Sequence, residues 1–366
     1  MKILFVTSQV ITRHATMKRA AGMAAPLLEL GWDVEVLAED HSDNRDYFGA
    51  VSGLKSFFYP HQGMRGERMW KNQFLGQGKW DLVHVCGLGF RNAINRQRGG
   101  SLVLMDHVEL ESSFAQSPVL RRLAQGGLER WSRRYYPGAI GASRWLTDWL
   151  QLGGARRVQH LPYGANAQMP GLDREAARFM ETKGLGRYAL YCGGLCKNYG
   201  FWTMLEAFIE TAHAQPNFSA TLLGRGAERD AGLRRVEALG LKERIRLPGY
   251  VPERELQLYL AGAATHVSPL HDTITDRARC PSKIPMYMMT GRPIVTCRVG
   301  EAWEYLGKLG HYYVPGDTSS LASTLIDLWR GGLGFEPYDR EKFTWRSLST
   351  RYSEYWASQL LVSGSR

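Results

Sequence analysis

A chain of 366 residues, 44% of them apolar, is long enough for two globular domains with separate cores. Its net charge of +11 selects an anionic partner: nucleic acid, an acidic membrane face or a phosphorylated substrate. No apolar run approaches the ~20 residues of a membrane span. The apolar start, Met1 to Val6, is too short for a signal peptide. Five scattered cysteines (Cys86, Cys192, Cys196, Cys280, Cys297) give neither an even disulfide set nor the second pair of a zinc site. They read as reduced thiols of a cytoplasmic protein, with a place on the inner membrane face left open.

Ile3 to Val6 reads as a buried strand, followed by a loop with Thr7, Ser8 and Gln9. Residues 17–30 read as a helix ended by Gly31, and Trp32 to Leu37 as the next strand. This βαβ start opens a doubly wound sheet. It lacks GxGxxG, which argues against a dinucleotide site. Asp81 to Cys86 and Ser101 to Met105 are further strands. The second runs into Asp106, His107 and Glu109, polar residues expected just past a strand end, where ligands of such sheets bind. Residues 118–150 read as helical and rich in Arg and Trp. From Arg91 to Arg157 there are 11 arginines against 5 acids. That face suits a membrane interface or an anionic glycan, or is simply a solvated basic surface. Ile140 to Ser143 is a strand with a helix cap, His160 to Asn166 closes the first half, and 167–186 reads as a connection.

Strand–helix alternation then restarts. Tyr188 to Cys192 is a strand, Gly193 to Gly200 a glycine-bearing turn, and Phe201 to Ala214 a helix. Ala220 to Leu223, Ile245 to Leu247 and His266 to Ser268 are strands, the first followed by Gly224-Arg225-Gly226. From His271 to Leu306 the pattern is a basic loop, a short helix from Ser282-Lys283, a break at Gly291, a buried strand Ile294 to Cys297, and a helix opened by Gly300-Glu301. Strand ends facing helix starts, with Arg277, Arg279 and Lys283 nearby, point to a pocket for a phosphorylated small molecule. The tail, Phe343 to Leu361, is an aromatic amphipathic helix.

In this order the motifs resemble the retaining GT-B glycosyltransferase family, which includes sucrose and glycogen synthases and bacterial polysaccharide enzymes. The residues that carry the resemblance are Leu223-Gly224-Arg225-Gly226, Leu239-Gly240-Leu241, Ile245 to Val251, Pro281-Ser282-Lys283-Ile284 with Tyr287-Met288, Gly291 to Val295, Val299-Gly300-Glu301 with Glu304, and Leu161-Pro162-Tyr163-Gly164. The resemblance covers nearly the whole chain. It implies an α/β fold of two Rossmann-like doubly wound domains facing across a cleft, with the C-terminal helix crossing back to the first. Residues 1–168 with 342–366 would bind the acceptor, and 187–341 the nucleotide-sugar. The implied reaction is sugar transfer with retention, with no cofactor and no metal, from a nucleotide-sugar co-substrate to a cell-envelope or surface glycan or glycolipid.

The candidates for donor binding are Gly193, Gly194, Ser282, Lys283, Gly300, Glu301 and Glu304, with Arg225 for its place between glycines after a strand and Lys197 as a substitute for the family cations absent nearby. Lys283 is the candidate for the diphosphate, where a cation stabilises leaving-group charge, or else a solvated helix-start lysine. Lys197 and Arg225 are likewise either ligand-facing or solvated. Glu304 matches a family acid near the ribose, with the plain helix-start carboxylate as the bland reading. His107 matches a histidine that touches the transferred sugar, unless it is a satisfied structural residue. Asp106, Glu109 or Glu111 is the candidate to take the acceptor proton. The family's glutamate pair falls here near Ala278 and at Met286, and its arginine and lysine fall at Gly194 and Tyr199, so nucleotide binding is expected to be arranged differently. An epimerase on the same fold and an inactive nucleotide-sugar or glycan-binding homologue are the competing expectations. Nucleic acid is disfavoured, because the basic residues follow no known module.

Overall fold

The computed structural model describes residues 1–11, 15–95, 100–114, 117–167 and 171–364. The chain divides into two compact units. The first comprises Met1–Asn166, Arg277–Ser282 and Glu341–Arg366, and the second Ala167–Asp276 and Lys283–Arg340. Residues 168 and 366, which end two of the expected segments, lie outside the described residues.

The first unit follows the order β1 (Lys2–Val6), α1 (Lys18–Glu29), β2 (Asp33–Glu39), α2 (Ser42–Gly49), β3 (Lys55–Tyr59), α3 (Met64–Gln77), β4 (Leu82–Val85), β5 (Leu102–His107), α4 (Val119–Tyr135), β6 (Gly138–Gly141), α5 (Arg144–Leu152) and β7 (Val158–His160). Its seven strands are parallel in the order β3-β2-β1-β4-β5-β6-β7. Ile3 to Val6 are wholly buried, as a central parallel strand covered on both faces requires. Ser143 accepts a hydrogen bond from the Leu146 amide and caps α5.

Three sequence expectations change here. β5 does not stop at Met105: Asp106 pairs in register with Ile140 and His107 with Gly141, so both polar residues are buried strand positions. The stretch 118–150 is two helices with β6 between them. The supposed connection 167–186 contains a helix, α6, described below. The elements α2, β3 and α3 had no counterpart in the sequence reading.

The second unit follows α6 (Leu172–Thr182), β8 (Ala189–Cys192), α7 (Phe201–Ala214), β9 (Ala220–Leu223), α8 (Arg229–Ala238), β10 (Ile245–Gly249), α9 (Glu253–Gly262), β11 (Thr265–Ser268), α10 (Ile274–Ala278), α11 (Lys283–Met289), β12 (Ile294–Thr296), α12 (Glu301–Leu306), β13 (His311–Tyr312) and α13 (Thr318–Trp329). The six strands are parallel in the order β10-β9-β8-β11-β12-β13. Leu172 and Ala176 of α6 bury against Ala261 of α9, which is why this polar segment is helical. In each sheet the strand order reverses once, between β1 and β4 and between β8 and β11. Ligands of open α/β sheets bind at such reversals.

The last helix, α14 (Trp345–Gly364), packs on α1. Tyr352 and Trp356 are fully buried. The Tyr352 ring stacks on His84, with its hydroxyl 3.0 Å from His84 Nδ1. Trp32 Nε1 donates to Ser353 Oγ, and Tyr355 OH donates to the Val158 carbonyl.

Candidate active site

In the second unit the Tyr287 hydroxyl spans the strand reversal. It accepts from the Cys192 amide at the end of β8 (3.0 Å) and lies 3.5 Å from the Val267 carbonyl of β11. Tyr287 is carried by α11, whose first residue is Lys283. The Lys283 ammonium sits 4.1 Å from the centre of the Tyr191 ring and 5.8 Å from that of Tyr199. Tyr191 donates its hydroxyl proton to the Gly194 carbonyl, 2.8 Å away. These contacts fix the cation over the turn that leaves β8.

At Gly193 and Gly194 the turn leaves little room for a side chain. A Cβ on Gly193 would lie 2.8 Å from Lys283 Nζ, and one on Gly194 2.9 Å from the Tyr199 ring. The Gly193 amide is bonded to the Leu223 carbonyl, whereas the Gly194 N–H has no partner among the described residues. The neighbouring turn after β9 locks onto it. Leu195 N donates to the Arg225 carbonyl, and Gly224, at φ +137°, leaves only 1.8 Å between a Cβ and the Gly193 carbonyl oxygen.

The expected donor residues fall into distinct positions. Gly193, Gly194 and Lys283 come together at the end of β8. Arg225 is exposed beside them, over the Tyr250 ring at 4.5 Å. Lys197 is exposed on the same loop. Gly300 precedes α12, which packs against α11; Glu301 is buried and Glu304 exposed. Ser282 belongs to the Arg277–Ser282 segment of the first unit. Helices α11 and α12 span seven and six residues, and the Lys283 cation stands at the start of the first. Tyr191, Tyr199 and Tyr287 went unnoticed in sequence as site residues. A tyrosine such as Tyr191 in an apolar strand, or Tyr287 in an apolar helix, looks like core until its hydroxyl partner is known.

In the first unit, Asp106 is fully buried, so it is not an accessible base at a strand mouth. Arg19 Nε donates to its Oδ2, and Arg19 also donates to the Leu161 and Pro162 carbonyls. Burial pushes the Asp106 carboxyl up, but the charge of Arg19 prevails and holds it below the usual range. His107 is also buried, with Nε2 3.5 Å from Ser132 Oγ. Burial brings its pKa down to about 4, so the imidazole is neutral at pH 7. Glu109 is half-buried, 3.9 Å from Arg279 Nε. Glu111 has its pKa pushed up to about 7 by burial and by the like charges of Glu109 and Glu129. Glu111 is thereby tuned toward neutral pH. Sequence carried no signal for Arg19, whose partner is 87 residues away.

Among the described residues, no group of three or more His, Cys, Asp or Glu is placed to hold a metal ion. No helix among them is long and apolar enough to cross a membrane.

Residues 186–330 match the family model described as Glycosyl transferases group 1. No curated protein matches the chain in sequence. Solved structures match it over their full length. HepE from Anabaena, in complex with UDP-glucose, is 15% identical with a TM-score of 0.69, covering 100% of this chain and 99% of that one. The catalytic domain of starch synthase IV from Arabidopsis thaliana, bound to ADP and acarbose, is 13% identical with a TM-score of 0.73 (98% and 99% covered). The lipopolysaccharide outer core galactosyltransferase WaaB is 11% identical with a TM-score of 0.64 (98% and 100% covered). The chain therefore has the GT-B fold, with the matched family segment in its second unit.

Proposed function

We propose that this chain, whose second unit carries the group 1 glycosyl transferase segment, is a retaining glycosyltransferase. It moves a sugar from a nucleotide-sugar to a hydroxyl of a cell-envelope or surface glycan or glycolipid, with no metal ion. The observation that carries this reading is the Lys283 ammonium, held by Tyr191 above the Gly193-Gly194 turn at the end of β8. With the free Gly194 N–H it supplies the fixed positive charge that a departing nucleoside diphosphate needs. The bond from the anomeric carbon to the diphosphate oxygen breaks, and one to the acceptor oxygen forms on the same face. The acceptor proton passes to the departing phosphate oxygen or to a nearby base, for which Glu111 is the favoured side chain. The neutral His107 stands as a positioning group.

HepE with UDP-glucose, starch synthase IV with ADP, and WaaB in lipopolysaccharide assembly support a nucleotide-sugar donor and a glycan acceptor. The start of α4 supports work at an anionic membrane face. Val119, Leu120 and Leu123 are exposed there, with Arg121 and Arg130 also exposed on the same helix.

The test is a melting-point screen with UDP, ADP and GDP, followed by NMR of the product's anomeric configuration in EDTA. Expected are a rise with one diphosphate, a retained configuration and turnover in EDTA. No stabilisation by any diphosphate rejects the donor site, and an inverted product or EDTA-sensitive turnover rejects the mechanism. Sedimentation with phosphatidylglycerol vesicles at low salt tests the membrane part, which no binding overturns.

A further inference from the structure

The first unit carries a groove of about 690 Å³ walled by α3, α4 and residues 90–95 after β4. This volume lies in the ~300–1,000 Å³ range of small-molecule sites. It belongs to neither the Lys283 turn nor the His107 surroundings. Its lining combines two kinds of surface. Trp131 and Phe90, 42% and 38% exposed, give flat apolar faces, and Trp131 is braced by stacking on Tyr135 at 4.1 Å. Arg68, Asn72, Gln73 and Asn95 give planar polar groups. Asn72 is fixed at the base: its amide donates to the Arg68 carbonyl (2.9 Å), and its oxygen accepts from the Asn95 N–H (2.7 Å). The side chains of Arg68 and Gln73 have no hydrogen-bond partner among the described residues.

This mixture discriminates between ligands. An acyl chain lying in the groove would strip water from the guanidinium and amides and return no hydrogen bonds, at a cost of ~1–3 kcal/mol for each group. A sugar ring has the complementary surface: a patch of C–H groups for an aromatic face, edged by hydroxyls that both donate and accept. We propose that this groove binds a segment of glycan, the already assembled part of a carbohydrate acceptor. The inference rests on the reading of the acceptor as a glycan. It adds a grip on that acceptor away from the reacting hydroxyl, which would let the enzyme favour long acceptors over short ones.

The test uses the full chain on an array of bacterial and plant surface oligosaccharides, with Trp131→Ala, the double variant Arg68→Ala/Asn95→Ala, and Lys283→Ala as variants. Circular dichroism checks their folding, and the exposure of Trp131 makes its truncation tolerable. At least one oligosaccharide is expected to bind wild type and Lys283→Ala alike, and to bind Trp131→Ala about tenfold more weakly. The double variant should weaken binding similarly. Phosphatidylcholine vesicles with one-quarter phosphatidylglycerol are the second arm, and their binding should be unchanged by Trp131→Ala. The proposal is overturned if no array glycan depends on Trp131, or if Trp131→Ala removes vesicle binding and leaves glycan binding intact. Because Lys283→Ala retains the groove, failure here and failure of nucleotide binding are separately visible.

Discussion

The Lys283 ammonium and the Tyr191 ring are 4.1 Å apart, and the hydroxyl of the same tyrosine is bonded to the Gly194 carbonyl. One aromatic side chain thus sets both the cation and the turn beneath it. The ring face attracts the ammonium charge and so holds it over the turn.

Lys283→Ala should therefore weaken nucleoside diphosphate binding without unfolding the protein. Loss of a charge-assisted contact of ~1.5–3 kcal/mol raises Kd about 10- to 100-fold. The melting-point rise given by saturating UDP or ADP should shrink to match. An unchanged ligand-induced shift would remove Lys283 from the site.

Gly224→Ala should damage the same site through the backbone. Its Cβ would meet the Gly193 carbonyl oxygen at 1.8 Å, at a φ of +137° that side chains rarely adopt. Strain and overlap together cost roughly 3 kcal/mol. A lower melting point and lost diphosphate binding are expected. Gly334→Ala, which meets nothing within 4 Å, should stay within ~0.5 kcal/mol of wild type. Equal stability of the two variants would sink the tight-turn account.

Much of the second unit was legible because its strands are short, apolar and bounded by glycine. The expected limits of β9 and α7 coincide with the observed ones. The place of Lys283 near the strand ends followed from strand ends and helix starts, and that of Gly193 from the family resemblance. The first unit was harder to read. In α3 the aromatic positions Trp70 and Phe74 are only partly buried, which blurs the helical period. α6 buries only Leu172 and Ala176 of its eleven residues. Asp106 and His107 read as loop because polar residues seldom end a buried strand, and only the distant Arg19 makes Asp106 tolerable there.

Stability should fall in mild acid. His107 has an unfolded pKa of ~6.5 and a folded value pushed down to about 4 by burial. Between these values the unfolded chain binds the proton and the folded one does not. Its contribution is therefore complete above pH 6.5 and lost as pH falls, reaching about 3 kcal/mol by pH 4. His84, also lowered by burial, acts in the same direction. Urea titrations at pH 7 and pH 5 should show the loss, and His107→Gln should reduce it. An equal pH dependence in that variant would contradict a buried neutral imidazole.

Glu111 carries the opposite sign and gives the sharpest test of acceptor chemistry. Its pKa is raised to about 7, first by burial and then by Glu109 and Glu129. A raised carboxyl contributes its stability at low pH and loses it as pH rises through 7. Glu111→Gln should then stabilise the protein at pH 8, by roughly 1–2 kcal/mol once solvent screening is allowed for. As the acceptor base, Glu111 is active only when ionised, so kcat/KM of wild type should fall below pH 7. In Glu111→Gln that acid limb should vanish, and the rate should drop by about 10²- to 10⁴-fold. A more stable variant with an unaltered rate and pH profile would make Glu111 a half-buried acid with no part in the reaction. The departing phosphate would then be left as the proton acceptor.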